Sequence, residues 1–454
     1  MNPNRRVLHL VLYSTGLFLL LSIGAIWLKF DWLPFQRVNL VSDVLHNRAD
    51  SLVTENTKKD SLDQPVIVEV KPALDFNLYT RPRTISSFST DSSKASLERF
   101  VRKLYALQHG QPVKVRIAYF GDSMIEGDLL TQTLRELLQK QFGGNGVGFV
   151  PVTSAVSKFR QTVNATYSNT WTDDNFKESK TNRLYLSGHS FHSDNAWVQM
   201  TDQTSYDSGA LVEKSLLYGP SPGHPQVRVN GQPVTLPGTQ PVNRTVLAKS
   251  EARSVRLDVA DNSLPVYGIS FESPSGIFVD NFSFRGITGI EFAKIDSAFL
   301  HAIATENPYD LIVFQYGVNL LFRPNDKNFS WYARTMLPIL RKIRHSFADA
   351  DFVLVSTADR AFRYAGEYRS AVGIDSLVKA QAILAYETGS AFYNQFASMG
   401  GTNSIVDWAR QKPSLANQDY VHPNHRGAAI LGNYFYEAIM KEYYKYSKSA
   451  GATP

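Results

Sequence analysis

Residues 113–123 read VKVRIAYFGDS. The first eight are rich in β-branched and aromatic residues and predict a strand, which ends in a tight turn at Gly121–Ser123. A helical pattern follows at about 129–141. A strand, a tight turn with polar residues and a helix in this order are typical of the start of a doubly wound α/β domain. The turn falls at the carboxyl end of the strand, the edge at which such sheets bind their ligands.

The same alternation returns near the other end of the chain. Residues 310–316 read DLIVFQY and predict a parallel strand that is covered on both faces. The other predicted elements are helices at about 94–108, 330–345, 374–387 and 424–446 and a strand at 351–356. Together they predict one α/β domain with a doubly wound, flavodoxin-like parallel sheet, built from residues 94–150 and 283–448.

Residues 151–282 interrupt this domain with a different pattern. They contain no long helical period, and short alternating runs are separated by turn signals, such as Asn230-Gly231 within 226–234. We therefore predict an inserted all-β sandwich. Aromatic residues of the insert, among them Tyr185 and Phe191, are candidates for stacking on sugar rings, although such residues in small sandwiches more often form the core.

The N-terminal segment predicts a membrane anchor at residues 1–30. An apolar run from Val7 to Leu28 follows Arg5 and Arg6 and is long enough to span a bilayer as a helix, which takes about 20 residues. The positive flank is expected in the cytoplasm and the rest of the chain outside it. The alternative is a cleavable signal peptide, with small residues at 22–24. Residues 31–93 are polar and aperiodic and are predicted to form a linker.

Composition excludes several classes of function. The chain has no cysteine, so it has neither disulfides nor thiolate metal sites. Its formal net charge of +6 is mild and no Lys/Arg stripe stands out, so no nucleic-acid partner is expected. His189 and His192 are possible metal ligands, but without a further acidic cluster they are more typical of histidines on the outer face of a strand.

Three side chains predict nucleophilic catalysis. Ser123 lies at the start of a helix, where backbone N–H groups are available to a developing oxyanion. Asp419 precedes His422 by three residues on one predicted loop, so that it can orient the imidazole and stabilise its protonated form, as a base serving a serine requires. Asp122 is expected to accept a hydrogen bond from its own backbone and is left out of this triad.

Four short blocks occur in a fixed order. They are Gly121-Asp122-Ser123, Gly286 within 281–289, Gly317-Val318-Asn319, and Asp419-Tyr420-Val421-His422. This set resembles the four blocks of the SGNH (GDSL-type) hydrolases. The resemblance implies that Ser123 attacks an ester while His422 acts as base and then as acid. It also implies an oxyanion hole formed by the N–H groups of Ser123 and Gly286 and the side chain of Asn319, with neither metal nor cofactor.

Two positions qualify the resemblance. Gly289 is a second candidate for the glycine of the second block, and Gly286 is preferred for its spacing after the Phe284-Arg285 turn. Leu320 stands where the family usually has Asp after the asparagine, which is expected to affect the structure of that loop.

The order of the parts is similar to that of the peptidoglycan O-acetylesterases of bacterial envelopes, in which the insert resembles a carbohydrate-binding module. It implies a single-pass protein of the bacterial inner membrane with its catalytic domain in the periplasm, or a periplasmic protein if the signal is cleaved. The expected activity is removal of O-acyl groups, acetyl above all, from a polysaccharide such as peptidoglycan. The alternatives are an O-acyltransferase acting between glycans and a non-catalytic glycan-binding protein of the envelope.

Overall fold

The structure is a computed structural model that describes residues 73–221, 223 and 225–451. The predicted membrane segment at 1–30 and the predicted linker as far as residue 72 lie outside the described residues. Within the part that is described, no helix is both long and apolar enough to cross a membrane.

The described residues form seventeen strands and eight α-helices. The strands are β1 (Ile85–Ser86), β2 (Lys114–Gly121), β3 (Gly148–Pro151), β4 (Val163–Tyr167), β5 (Thr172–Asn175), β6 (His189–Asp202), β7 (Val212–Tyr218), β8 (Gln226–Val229), β9 (Gln232–Thr235), β10 (Asn243–Ser250), β11 (Ser254–Glu272), β12 (Gly276–Ser283), β13 (Leu311–Gln315), β14 (Asp351–Val355), β15 (Ala361–Tyr364), β16 (Glu367–Ser370) and β17 (Ala391–Tyr393). The helices are α1 (Glu98–Gln108), α2 (Thr131–Phe142), α3 (Ser297–Glu306), α4 (Ser330–Ser346), α5 (Ile374–Thr388), α6 (Gln395–Met399), α7 (Ser404–Arg410) and α8 (His425–Gly451).

Five parallel strands and one antiparallel edge strand form the sheet that organises the molecule. Its order is β1-β17-β14-β13-β2-β12, in which β17 to β12 run parallel and β1 pairs antiparallel with β17 at one edge. Numbered along the chain, the parallel strands have the spatial order 2-1-3-4-5, which is that of flavodoxin-like sheets. The predicted parallel sheet is therefore confirmed.

Helices cover both faces of this sheet. Alternate residues of β2 belong to two apolar clusters: Ile117 and Tyr119 to one that includes α1, α2 and α8, and Ala118 and Phe120 to one that includes α3, α4 and α5. All four are at most 1% exposed. Burial on both faces explains why β2 reads as a nearly continuous apolar run.

Strands β3 to β11 form the β-rich insert, residues 148–272, as one hydrogen-bonded sheet of nine strands. The first half of β11 pairs with β6 and its second half with β7, and its register shifts between Val259 and Val266. Where a long strand shifts its register and changes its hydrogen-bonding partner, it bends. The sheet on one side of the bend then packs over the sheet on the other side, with apolar side chains between them. Apart from one 3₁₀ turn, the regular elements described in the insert are strands, and they do not divide into the two sheets that the predicted sandwich requires.

The insert differs from its predicted bounds of 151–282. It begins earlier, because β3 pairs with β11, and it ends earlier, because β12 pairs with β2 in the parallel sheet. The apolar cluster that contains Phe120 also includes Phe149, Tyr185 and Leu217 of the insert. The insert and the α/β part therefore share a core.

Residues 73–93 are folded, so the predicted linker was wrong for this part. A 3₁₀ turn at Phe76–Thr80 precedes β1, in which Ile85 is opposite Tyr393 of β17. Ile85 and Phe88 are 1% and 2% exposed. Their apolar side chains pack at the edge of the sheet, against residues that come much later in the chain. Their spacing within the segment therefore shows neither a helical nor a strand periodicity.

Candidate active site

Three loops of the candidate site follow the carboxyl ends of neighbouring strands. Gly286 comes after β12, Ser123 after β2 and Asn319 after β13. The strand order reverses between β2 and β13, and open α/β sheets bind ligands at this switch point. The turn before α8 adds His422, and all four residues line one cleft of about 550 Å³.

Ser123, His422 and Asp419 are joined by hydrogen bonds. Ser123 Oγ lies 2.9 Å from His422 Nε2, and His422 Nδ1 lies 2.7 Å from Asp419 Oδ2. Because a carboxylate can only accept, Nδ1 is the donor to Asp419, and Nε2 of the neutral ring accepts from the serine hydroxyl. This is the geometry required for a histidine to take a proton from a serine.

The Asp419 carboxylate also shapes the turn that carries the histidine. Its Oδ1 accepts from the backbone N–H groups of Val421 and His422, at 3.0 and 3.1 Å. Partial burial raises the pKa of Asp419, but hydrogen bonds from the His422 ring and these two N–H groups outweigh it and hold the pKa below its usual range. The carboxylate therefore stays ionised near neutral pH and can stabilise an imidazolium.

The two glycines of the second block face different surroundings. Gly286, with φ of +77°, lines the cleft. A Cβ at Gly289 would lie 2.8 Å from the ring of Phe314 and 3.0 Å from that of Tyr316, so this glycine packs against the buried core. The position of Gly286 supports its assignment to the second block.

Asn319 lines the cleft but its amide group already has partners. Nδ2 donates to Asp122 Oδ2 at 3.0 Å and to the carbonyl oxygen of Ile287 at 2.9 Å. An oxyanion could therefore receive a hydrogen bond from Asn319 only by sharing or replacing one of these.

Asp122 lies behind the site and was not predicted to contact Asn319. As expected, it accepts a backbone hydrogen bond, from the N–H of Met124 to Oδ1 at 3.0 Å. It is 1% exposed. Burial raises its pKa to about 7, although the Met124 N–H and nearby His422 act in the opposite direction. The contact with Asn319 joins residues 197 positions apart, and no local sequence signal could indicate it.

Gly317 and Leu320 shape the loop of the third block. A side chain at Gly317, with φ of +150°, would place its Cβ 2.4 Å from Thr357 Cβ. The N–H of Leu320 donates to the Gly317 carbonyl oxygen at 2.9 Å, and its side chain is 2% exposed within an apolar cluster. The departure at Leu320 therefore places an apolar residue in the core, away from the cleft.

The β-rich insert supplies part of the cleft lining, which the sequence did not indicate. Phe159 and Lys177 come from the insert, and Arg285 and Glu126 come from the loops after β12 and β2. The Arg285 guanidinium binds the Glu126 carboxylate through Nε, at 2.9 Å from both oxygens, and through Nη2, at 2.6 Å.

His189 and His192 each face an aspartate of β5. Their Nδ1 atoms lie 2.8 Å from Asp173 Oδ1 and 3.7 Å from Asp174 Oδ2. In the described parts of the chain, no three histidine or acidic side chains are grouped as they would be around a metal ion.

Comparison with solved structures finds a peptidoglycan O-acetylesterase ("Peptidoglycan O-acetylesterase in action, 5 min") with a TM-score of 0.66 and 22% identity, over 78% of this chain and 99% of that one. The chain therefore shares the fold of that esterase. At this identity the likeness extends to the fold alone, and the resemblance predicted from the four blocks is confirmed at that level.

Other matches are more distant. A family two carbohydrate esterase from Cellvibrio japonicus has a TM-score of 0.26 and 9% identity, over 62% of this chain and 99% of that one. A lipase/acylhydrolase from Enterococcus faecalis has a TM-score of 0.26 and 14% identity, over 36% and 76%. No family model matches the chain, and the search of curated proteins finds no match.

Proposed function

We propose that the chain is a serine esterase that removes O-acyl groups, with acetyl as the expected group, from a cell-envelope polysaccharide such as peptidoglycan. The observation that carries the proposal is the chain of hydrogen bonds from Ser123 through His422 to Asp419, at the switch point of the parallel sheet. The fold shared with a peptidoglycan O-acetylesterase supports the choice of substrate.

In the first half of the reaction, His422 Nε2 takes the proton of Ser123 as Oγ attacks the acyl carbon. Negative charge develops on the carbonyl oxygen, and the N–H groups of Ser123 and Gly286 and the amide of Asn319 stabilise it. The C–O bond to the sugar then breaks, and His422 gives its proton to the departing sugar oxygen. The products of this half are a free sugar hydroxyl and an acyl-serine.

In the second half, water replaces the sugar. His422 takes a proton from water, the resulting hydroxide attacks the acyl carbon, and the proton returns to Ser123 Oγ as the acid leaves. Asp419 holds the imidazole in the required tautomer throughout. The proton transfers run between Ser123 and His422, whose side chains are hydrogen-bonded to each other, and Asp419 is hydrogen-bonded to the other side of the ring.

Release of acetate from O-acetylated peptidoglycan and from an aryl acetate tests the proposal. Ser123→Ala should remove the activity on both, because the proposed acyl intermediate forms on Ser123 Oγ. An unchanged rate in this variant would falsify the esterase mechanism. Analysis of the products with and without an acceptor glycan separates hydrolysis from transfer of the acyl group.

We also propose that the enzyme works outside the cytoplasm, attached to the inner membrane by residues 1–30. The basic and apolar sequence of this segment and the proposed envelope substrate support this location. Protease added to spheroplasts should digest the catalytic part, and protection from protease in intact spheroplasts would contradict the location.

A further inference from the structure

The cleft has walls from two parts of the molecule. Ser123, Gly286 and His422 belong to the α/β part, whereas Phe159 and Lys177 belong to the β-rich insert. The proposed chemistry uses no residue of the insert wall. Two side chains of this wall nevertheless have a clear chemical character, Phe159 being aromatic and Lys177 cationic.

A rigid turn presents Lys177 to the cleft. Asn175 Oδ1 accepts from the backbone N–H groups of Lys177 and Glu178, at 3.0 and 3.3 Å. Phe176 is 1% exposed, and its ring centroid lies 5.6 and 5.1 Å from those of Phe284 and Phe292. Because Phe176 is packed in the core and Asn175 holds the N–H groups of Lys177 and Glu178, the backbone of Lys177 has a defined position although its side chain is exposed.

The ammonium group of Lys177 lies beside the proposed oxyanion site. A Cβ placed on Gly286 would be 3.1 Å from Lys177 Nζ. No ion pair of Lys177 is found in the described part of the chain. Glu126, the one carboxylate among the described residues that line the cleft, is bound by Arg285, so the cleft retains the positive charge of Lys177.

Phe159 projects into the solvent at the same cleft. It ends a 3₁₀ turn at Ser157–Phe159 and is 74% exposed. By contrast, Tyr185 and Phe191, which the sequence offered as sugar-stacking candidates, are fully buried in the core. An exposed phenyl ring at the edge of a cleft is suited to the apolar face of a sugar.

We propose that Lys177 and Phe159 form an acidic-sugar subsite, in which Phe159 stacks on a sugar ring and Lys177 binds a carboxylate that the glycan carries near the acylated hydroxyl. This inference rests on the proposed esterase function and specifies its substrate class: O-acylated glycans with carboxylate groups are preferred over neutral ones. The carboxylate can belong to a uronic acid or to an acid substituent on an amino sugar, as in peptidoglycan at sugars whose acid group carries no peptide.

Kinetics on matched substrates test the subsite. The substrates are 4-nitrophenyl acetate, O-acetylated xylan as a neutral glycan, and O-acetylated polygalacturonate and peptidoglycan as two sources of carboxylate. Lys177→Ala should lower kcat/KM on at least one acidic polymer about tenfold more than on xylan or the aryl acetate, through KM, as expected for a lost charge-assisted hydrogen bond. Lys177→Arg should recover most of this loss, and the wild-type preference should weaken as salt is added.

Two variants complete the kinetic test. Phe159→Ala should weaken binding of all three polymers several-fold and affect the aryl acetate less. Lys180→Ala removes an exposed lysine that does not line the cleft and should leave every rate unchanged. An equal loss on all substrates in Lys177→Ala, or no loss on either acidic polymer, overturns the proposal.

A binding experiment separates failure of the subsite from failure of the esterase function. Deacetylated polygalacturonate and peptidoglycan fragments are titrated into the Ser123→Ala variant, with and without Lys177→Ala. Binding that salt weakens and that Lys177→Ala reduces about tenfold supports the subsite even if the wild type releases no acetate. Binding of neither acidic glycan refutes the subsite, whatever the esterase activity.

Discussion

The carboxyl group of Asp122 lies directly behind the nucleophile and accepts a hydrogen bond from Asn319. Its pKa is raised to about 7 by burial, against a usual value of 3.8. Between about pH 4 and pH 7 the folded chain holds a proton that the unfolded chain has released. The free energy of unfolding therefore falls as pH rises through this window, by at most about 1.4 kcal/mol per pH unit.

Asp122→Asn removes this titration and keeps one of the two acceptor oxygens, for Asn319 or for the Met124 N–H; the loss of the other acceptor is a cost that does not depend on pH. We expect the variant to gain stability relative to the wild type as pH rises from about 4 to about 7, and the difference to level off above that. Urea unfolding at roughly pH 4.5, 6 and 7.5 measures it, with Asp349→Asn, at an exposed aspartate, as the control. A difference that does not change with pH would contradict the burial-raised pKa.

Asn319→Ala removes one proposed hydrogen-bond donor to the oxyanion and so tests the role of that donor alone. Loss of such a donor lowers kcat by about 10²- to 10³-fold with little change in KM, because the hydrogen bond strengthens as charge develops. Asn417→Ala, at another asparagine that lines the cleft, is the matched control and should lower kcat far less. A loss below about tenfold in Asn319→Ala would mean that its amide keeps its partners Asp122 and Ile287 during the reaction.

The sequence singled out Ser123, His422 and Asp419 as candidates from side-chain type and from loops that local patterns locate, and the structure places them within hydrogen-bonding distance of one another. The sequence did not suffice for the Asp122–Asn319 contact or for the position of Lys177 beside Gly286. Those contacts depend on how strands separated by the insert come together, which no local pattern records.

At the scale of elements, apolar runs made the parallel strands β2, β13 and β14 predictable. The assignment of β12 to the insert was wrong, because the strand follows the insert in the chain and only its pairing with β2 shows which sheet it joins. The short edge strand β1 was missed for a related reason. Its partner, β17, lies about 300 residues further along the chain.

Phe88 provides a test of the segment that was predicted to be a linker. Its ring is 2% exposed and packs against Tyr386 and Phe392, with centroids 5.3 and 6.5 Å away. Phe88→Ala should lower the free energy of unfolding by about 3–5 kcal/mol, as for other buried phenylalanines. Leu74→Ala, in the same segment but at a side chain that is 55% exposed, should have little effect in the same urea titration. Equal effects would mean that the segment is not packed.

At the scale of the whole molecule, one buried carboxylate links the two sheets. Glu272 of the insert is fully buried and receives hydrogen bonds from Arg116 and Lys114 of β2, with Arg244 of β10 at 2.9 Å. Burial raises the pKa of Glu272, but these cations outweigh it and lower the pKa well below the usual range. The central strand that leads to Ser123 is thus tied to the insert.

Glu272→Gln leaves three cations around a neutral group. Removal of one partner from a buried ionic cluster typically costs about 3–5 kcal/mol. We expect a loss of this order in urea unfolding, in a single transition, because the insert and the α/β part share a core. Glu251→Gln, at an exposed glutamate of the insert, is the control. A change below about 1 kcal/mol, or two separate transitions, would contradict this coupling.

The insert also has a consequence for the timing of biosynthesis. Ser123 and His422 are 299 residues apart in the chain. At roughly 5–20 residues per second on the ribosome, about 15 to 60 seconds pass between synthesis of the serine and of its histidine. Throughout that interval the nascent polypeptide carries Ser123 without its base. The proposed esterase activity therefore begins only after α8 has been made and has packed against the finished sheet.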